Sequence, residues 1–402
     1  MTTTAVASTR LDYLDGLRAA LMLLGIPYHA AFAFTGIGWL VTSPDQSTSL
    51  AAFAGFLHVW RMPAFFVVAG FFATFILPRR DRRTWIRGRV KRLGLPLLFG
   101  LATVVPAQWL IAGYARTGSW RGAAGFASGL IWPPSSWWTV HLWFLVELLI
   151  YCLLVYVLTT PRVRGPVGSF LRKCTDGMTG RPVLGLLTLL AVAAAVVVTG
   201  LAAWETVDGN ALLAGLVSRN IVMFAPAFAL GCMLGAGVAN LQWFLSLPAA
   251  LTATIGAAGA GIVLVLDVVL AVESLPALAL QAASWTVAGI AITSLAFRAA
   301  AHWMSRPSPW VRWLVDGSLV IYLFHLPIVL AAAAALFAAG ITGWTGFAIT
   351  VVTGFVGAAA CYELINLAPG LRYLATGSPA RGASLSTTIR WSPSRAAGGA
   401  TG

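Results

Sequence analysis

Apolar runs of membrane-spanning length recur along the whole chain. A transmembrane helix needs about 20 predominantly apolar residues, and it tolerates glycine and proline in its interior. On this criterion we place about ten spans, at residues 17–39, 52–77, 93–113, 141–160, 184–203, 211–236, 247–271, 276–297, 315–338 and 345–368. The sequence therefore predicts an all-α fold, a polytopic bundle of transmembrane helices.

The composition excludes a soluble globular protein. Of the 402 residues, 59% are hydrophobic and only 9% are charged, which leaves too little polar surface to face water. The four cysteines are widely spaced and form no CxxC pair, so they predict neither a disulfide framework nor a metal site. No soluble domain and no repeat of fixed period is visible.

The basic residues follow membrane sidedness. The segment 78–92 holds eight Lys or Arg and residues 161–183 hold five, whereas alternate loops such as WETVDGN hold acids and no Lys or Arg. The connection 114–140 is the exception among these alternate loops, with Arg116 and Arg121. Loops rich in Lys and Arg stay in the cytoplasm, so this bias predicts cytoplasmic termini, with which an even number of spans agrees. It also explains the net charge of +14 without nucleic acid as a partner.

Three segments follow from this pattern. We expect a cytoplasmic amino-terminal segment at 1–16, a membrane domain at 17–370 and a cytoplasmic tail at 371–402. The first apolar run lacks the short core and small-residue cleavage site of a signal peptide, so it should remain as the first helix of a protein of the plasma or inner membrane. The tail is rich in Ser, Gly, Ala and Arg, a composition typical of disorder.

Ionisable side chains within the predicted spans are the candidates for function. Each costs at least about 2.5 to 3.5 kcal/mol near the bilayer centre on insertion scales, so its presence calls for a partner or a role. The set comprises Arg18, His29, His58, Arg61, His141, Glu147, Arg219, Asp267, His325 and Glu363. Of these, Asp267 and Glu363 lie near helix ends, where solvation explains them.

The first helix carries a polar stripe. Arg18 and His29 are eleven residues apart, which is almost three helical turns, so they share one face about 16 Å apart along the axis. Asp15 can pair with Arg18, and an interfacial anchor is the alternative explanation of the arginine. The stripe otherwise joins the cytoplasmic edge of the membrane to its interior.

A second pair lies at a similar depth on the antiparallel second helix. His58 and Arg61 are three residues apart on one face, in the outer half of the membrane that His29 also reaches. A single histidine in a membrane helix is often a packed, hydrogen-bonded residue. Two histidines and an arginine that converge in depth favour a site instead.

Helices four, six and nine supply further candidates, each with a structural alternative. Glu147 lies about 9 Å deeper than His141 and can form an ion pair with Arg219, whereas His141 can belong to an interfacial aromatic belt. His325 lies in the ninth span, nearer the cytoplasmic half of that span.

The basic segment before helix three allows two interpretations. Topology control and attraction to anionic lipid explain its eight positive charges in general terms. A more specific interpretation is a phosphate site, because Arg89 and Arg92 are three residues apart where helix three begins and form a fork for a polyphosphate ligand.

These motifs resemble those of the integral-membrane acyltransferase family 3. An Arg followed after ten residues by a His in the first helix is the hallmark of that family, matched here by Arg18 and His29 in LDGLRAALMLLGIPYH. The RxxR motif near the start of helix three is matched by Arg89 and Arg92. The segments HLWFL and YLFHLPI, which contain His141 and His325, are similar too.

The resemblance covers most of the chain, about residues 10–368. The segments LDGLRAALMLLGIPYHAAF and HVWRMPAFFVVAGFF look most like the glucan biosynthesis protein C branch, the membrane succinyltransferases that modify periplasmic glucans. The resemblance implies an O-acyltransferase that moves a succinyl or acetyl group from cytoplasmic acyl-CoA to a hydroxyl of an extracytoplasmic glucan or other glycan. Acyl-CoA is then a substrate, and neither a permanently bound cofactor nor a metal is expected.

The resemblance also implies roles for the candidates. His29 would be the general base, and Arg61 the leading donor to the developing oxyanion, with His58 second and Glu147 orienting an imidazole or the sugar. Expected to bind the donor are Arg18, Arg89 and Arg92; the further candidates are His141, Arg219 and His325.

Two other classes of protein are compatible with the spans. A glycan exporter without acyl chemistry would also bury charges near a midplane site, but the chain shows no repeated half with broken helices in corresponding positions. A membrane scaffold would not account for the paired motifs of helices one and three. The residues fix neither the acyl group, nor the acceptor, nor the oligomeric state.

Overall fold

The computed structural model describes residues 3–36, 38–131, 138–207, 219–270, 274–306 and 308–389. Within them the chain forms helices and no strand. The first half contains α1 (Thr3–Leu23), α2 (Gly25–Ala33), α3 (Thr48–Ile76), α4 (Arg82–Ala102), α5 (Val104–Thr117), α6 (Trp120–Ile131), α7 (Trp143–Leu158), α8 (Pro161–Gly180) and α9 (Pro182–Val207). The second half contains α10 (Asn220–Ala236), α11 (Val238–Ser246), α12 (Ala249–Leu264), α13 (Leu275–Trp303), α14 (Pro309–Ala338), α15 (Gly343–Leu367), α16 (Pro369–Thr376) and α17 (Leu385–Ile389).

The predicted all-α, multi-span architecture is confirmed. In the described part of the chain, nine helical segments are long and apolar enough to cross a membrane. The number is ten if the pair α10 and α11, which is bent by 119°, forms one span. The start of the predicted span 211–236 lies outside the described residues, and the cytoplasmic location of both termini stays a prediction.

The predicted first span is two helices rather than one. α1 begins at Thr3, so most of the segment expected before the membrane continues the helix, and α1 ends at Leu23. Pro27 in α2 has no N–H to donate to the carbonyl of Leu23 four residues before it, which explains the break at Leu24. The stripe from Arg18 to His29 therefore crosses a kink.

The predicted third span also begins earlier and is interrupted. α4 starts at Arg82, so most of the basic segment is helical and not a loop. The Asp81 carboxylate caps it by accepting from the backbone N–H of Thr84 at 3.1 Å, and this hydrogen bond holds the pKa of Asp81 below its ordinary value. α5 restarts after Thr103 because Pro106 cannot donate to the carbonyl four residues earlier.

Glycines allow α3 and α10 to pack with their backbones in contact. A Cβ on Gly231 would lie 2.0 Å from the carbonyl oxygen of Val67, and one on Gly70 would lie 2.1 Å from that of Phe228. Any side chain at either position would separate the two helices, as in the small-residue seams of other membrane proteins. This seam fixes the position of α3, the helix that carries His58 and Arg61.

The expectation of a disordered tail over 371–402 is wrong for its described part. Residues 369–376 form α16 and residues 385–389 form α17. Polar side chains at the ends of α14 and α15 hydrogen-bond to the backbone between these helices, and this compensates for a composition that is poor in apolar residues. Residues 390–402 lie outside the described part of the chain.

Candidate functional site

Three histidines from separate parts of the chain meet in the interior of the bundle. The ring centroid of His29, on α2, lies 5.3 Å from that of His325, on α14, and 6.4 Å from that of His141. The rings of His141 and His325 are 5.4 Å apart. His141 comes from a short turn, Val140–Leu142, directly before α7. We call these residues the histidine cluster.

The cluster corrects two expectations from the sequence. His325 was expected nearer the cytoplasmic half of its span, yet it is at the level of His29 because α14 begins at Pro309, six residues before the predicted start at 315. His141 is only 3% exposed, so an interfacial aromatic belt does not describe its environment.

A backbone hydrogen bond fixes the proton of His325. Its Nδ1 lies 2.6 Å from the carbonyl oxygen of Tyr322, one turn earlier on α14. Because a carbonyl can only accept, Nδ1 is the donor, and the lone pair of the neutral ring is on Nε2. The side chain is fully buried, and Nε2 has no hydrogen-bond partner in the described residues. His325 thus presents an unoccupied acceptor to the cluster.

His141 is held from two sides. The side-chain amide nitrogen of Gln108, on α5, lies 3.1 Å from His141 Nδ1. With the amide in this orientation Gln108 donates to Nδ1, which leaves the N–H of the neutral ring on Nε2. The Tyr322 hydroxyl donates to the backbone carbonyl of His141, so α14 fixes both His141 and His325.

Arg61 is a buried cation beside the cluster. It is 5% exposed, and its guanidinium carbon lies 4.8 Å from the centre of the Tyr28 ring. No carboxylate among the described residues is within salt-bridge distance of it. A Cβ on Gly25, at the kink, would lie 3.2 Å from Arg61 Nη1 and 3.6 Å from His325 Nε2. The guanidinium and the free imidazole nitrogen therefore both border Gly25, at the junction of α1 and α2.

His58 lies on the other side of Tyr28. Its ring stacks on that of Tyr28 at 5.3 Å and contacts Trp285 at 5.6 Å. Among the described residues it makes no ring contact with the histidine cluster. Tyr28 contacts both His58 and His29, and the structure joins Arg61 more closely to His325 of the cluster than it joins His58.

Glu147 and Arg219 do not form the ion pair that was the structural alternative for both residues. Glu147, on α7, is 1% exposed, whereas Arg219 is exposed directly before α10. Both residues are described, and no salt bridge joins them. Glu147 follows His141 by six residues, about 9 Å along a helix, so it is separated from the cluster by a turn and a half.

The predicted donor-binding residues converge at the opposite end of the stripe. Arg18 forms a salt bridge with Asp15 at 3.2 Å, and its guanidinium carbon lies 5.7 Å from the centre of the Phe72 ring. Arg89 Nη2 donates to the backbone carbonyl of Phe72 at 2.8 Å. Arg92, one turn later on α4, is exposed. The structure thus brings Arg18 and Arg89 together around Phe72.

Sequence reasoning missed several residues that shape the cluster. Trp39 stacks on His29 with ring planes 5° apart, and Gln108, Tyr28 and Tyr322 make the contacts already described. Two of them had a usable signal: Tyr322 precedes His325 by one helical turn, and Gln108 is an amide within an apolar run. Trp39 had none, because it lies in a loop.

Comparison with known proteins identifies the family. A model described as an acyltransferase domain, that of acyltransferase family 3, matches residues 11–363. Glucans biosynthesis protein C of Shigella dysenteriae serotype 1 (strain Sd197) is 27% identical over 380 residues, which cover 93% of this chain and 96% of that protein. The protein of the same name from Escherichia coli (strain K12) matches with the same identity and coverage.

No solved structure matches the chain. The family match extends over the helices that carry both the histidine cluster and the arginines around Phe72. The chain therefore belongs to acyltransferase family 3 and is a multi-pass membrane acyltransferase.

Proposed function

We propose that this acyltransferase moves an acyl group from cytoplasmic acyl-CoA to a hydroxyl of an extracytoplasmic glucan, or of another glycan, at the plasma or inner membrane. One observation carries the proposal: arginines suited to phosphate and histidines suited to proton transfer occupy the two ends of one stripe, Arg18 to His29. The name of the two relatives, glucans biosynthesis protein C, supports a glucan as the acceptor.

The donor binds at the end marked by Phe72. Arg89 and the exposed Arg92 supply forked donors for the phosphates of acyl-CoA, and Arg18 borders the same region through its contact with Phe72. The thioester then extends along the stripe towards the kink at Leu24. The basic segment keeps these residues on the cytoplasmic side, where acyl-CoA is available.

His29 acts as the general base. Its neutral imidazole takes the proton of the acceptor hydroxyl while the hydroxyl oxygen attacks the thioester carbonyl. The new C–O bond forms, the C–S bond breaks, and the proton passes from the imidazole to the departing CoA thiolate. The stacked Trp39 ring holds the plane of the His29 ring during this transfer.

Arg61 stabilises the negative charge that develops. A preorganised cation in a dry site is suited to the oxyanion of the tetrahedral intermediate, and Arg61 is buried with its Nη1 close to the kink. His58 supports this side through its stack on Tyr28, and Glu147 orients the sugar. The acyl group is succinyl or acetyl, and with succinyl the cation Arg61 also suits the distal carboxylate.

Replacement of His29 tests the proposal. We expect His29→Ala to be inserted and folded but to lose acylation of the glycan, measured by mass spectrometry of the purified product. His302→Ala is the matched control, because His302 is exposed near the end of α13. Ester formation by His29→Ala at the rate of the control would reject His29 as the base. A deletion strain distinguishes the exporter: loss of the glycan polymer itself, rather than of its ester groups, would favour export over acylation.

A further inference from the structure

The chain folds back over the donor end of the bundle after its last spanning helix. α16 packs against α4, and the Lys91 ammonium lies 4.6 Å from the centre of the Tyr373 ring. Gly377, which ends α16 with φ +70°, touches α4 directly: a Cβ on it would lie 2.9 Å from the Cα of Arg92 and from the carbonyl oxygen of Lys91. We call residues 369–389 the C-terminal strap.

Hydrogen bonds anchor the first half of the strap to α15. The Asn366 side-chain oxygen accepts from Arg372 Nη1 at 2.9 Å and from the backbone N–H of Gly382 at 3.0 Å. Arg372 Nε donates to the carbonyl of Ala380, and the residue is only 6% exposed. The turn between α16 and α17 is thus built around one buried arginine.

The second half is anchored to both α14 and α15. Asp316 accepts from the backbone N–H of Ala383 at 2.8 Å, and the Tyr362 hydroxyl donates to the carbonyl of the same residue at 2.6 Å. Glu363 accepts from the Leu385 N–H at 3.0 Å and from Trp313 Nε1 at 2.6 Å. Glu363 is therefore a structural anchor and not simply a solvated residue at a helix end.

The strap therefore connects the basic end of α4 to the rigid ends of two spanning helices. Lys91 and Arg92 are exposed cations next to Arg89, and their mutual repulsion opposes a fixed arrangement. The contacts of Gly377 and Tyr373 hold this turn of α4 by its backbone and by the ammonium group of Lys91. Among the described residues the strap makes no hydrogen bond with Arg89, whose Nη2 donates to the Phe72 carbonyl at the donor end.

We propose that the C-terminal strap is a positioning element of the donor site, which holds Arg89 and Arg92 in register to bind acyl-CoA. The inference rests on the proposed location of the donor site. It predicts that loosening the strap raises the KM and the Kd for acyl-CoA. The kcat at saturating donor and the KM for the acceptor should stay unchanged. A strap needed only for folding would not divide the kinetic constants in this way.

Matched glycine substitutions test the strap in the full-length protein. Gly377→Ala forces a Cβ against α4, whereas Gly370→Ala, on the same helix, meets no atom of the described residues within 4 Å. Gly118→Ala controls for backbone strain alone, because Gly118 also has a positive φ, +66°, but no neighbour within 4 Å in the described part of the chain. We expect the Kd for acyl-CoA to rise at least about tenfold in Gly377→Ala only, since small displacements of binding groups cost this much or more.

A second pair of variants keeps the test independent of folding. Tyr373→Ala removes the ring beneath Lys91 and should also raise the Kd for acyl-CoA. Tyr373→Phe keeps the ring and should have the Kd of the wild type. If both Gly377→Ala and Tyr373→Ala bind acyl-CoA like their controls, the strap proposal is overturned. The double variant Arg89→Ala, Arg92→Ala tests the location of the donor site separately from the role of the strap. Unchanged binding of acyl-CoA by this variant refutes the proposed location, whereas weakened binding supports it whatever the strap variants show.

Discussion

The substitution Arg61→Met tests whether the buried guanidinium serves the reaction or the fold. Methionine fills a similar volume without charge, and Arg61 is 5% exposed with no carboxylate within salt-bridge distance among the described residues. The change removes a cation–π contact with Tyr28 of up to about 2 kcal/mol. Burial of an ion in the folded protein costs several kcal/mol, and the substitution removes this cost. We therefore expect the thermal midpoint of Arg61→Met to match or exceed that of the wild type.

We expect Arg61→Met to lose most of its activity although it stays folded. Loss of one preorganised donor to an oxyanion lowers kcat about 10²- to 10³-fold, which corresponds to about 2.7 to 4 kcal/mol. The assay supplies acetyl-CoA and succinyl-CoA to purified protein in lipid nanodiscs, with ester detection by mass spectrometry. Equal losses with both donors indicate an oxyanion donor, and a loss confined to succinyl-CoA indicates a carboxylate anchor.

The exposed Arg219 provides the control. Arg219→Met removes the same charge outside the buried site and should leave both rates unchanged. If Arg61→Met retains both activities within about threefold of this control, Arg61 contributes neither to the oxyanion nor to donor selection. A thermal midpoint far below that of wild type would instead show that the guanidinium stabilises the fold.

Two further predictions concern the histidine cluster and the glycine seam. His325→Asn keeps a donor for the Tyr322 carbonyl but removes the free Nε2, an acceptor beside the proposed base His29. We expect a loss of activity of about 10²-fold or more with the fold retained, and activity equal to that of the control His302→Asn would show that the reaction does not need Nε2. Gly231→Ala places a Cβ 2.0 Å from the Val67 carbonyl oxygen and should cost about 1 to 3 kcal/mol or more. Its control is Gly261→Ala, because Gly261 is exposed on α12 and a Cβ there would meet no atom of the described residues within 4 Å. Equal thermal unfolding of the two variants would contradict the seam.

The sequence was informative where hydrophobicity and helical periodicity determine the outcome. Apolar runs located the spans, and the spacing of Arg18 and His29 indicated a shared stripe that leads to both candidate sites. Helix breaks were not foreseen, because hydropathy does not register the missing N–H of Pro27 or Pro106. At these breaks the helices end and restart inside the spans that hydropathy had predicted as continuous.

Long-range polar contacts account for the remaining differences. The composition of residues 371–389 is typical of disorder, but Asp316, Asn366 and Glu363 form hydrogen bonds with this segment that no local pattern reveals. Likewise, the assembly of His29, His141 and His325 depends on how three distant helices pack. Such convergence follows from tertiary structure, which periodicity along one helix does not encode.

The antiparallel helix α3 repeats the spacing of the stripe that it faces. Arg61 and Phe72 are eleven residues apart on α3, as are Arg18 and His29, and Arg18 contacts Phe72 while Arg61 lies over Tyr28, the neighbour of His29. α1 and α2 are separated by a kink, but α3 is continuous from Thr48 to Ile76. It therefore sets a distance of about 16 Å between the arginines proposed to bind the donor and the proposed site of acyl transfer. One residue inserted between Arg61 and Phe72 would turn one end by about 100° relative to the other, so this length is a fixed dimension of the enzyme.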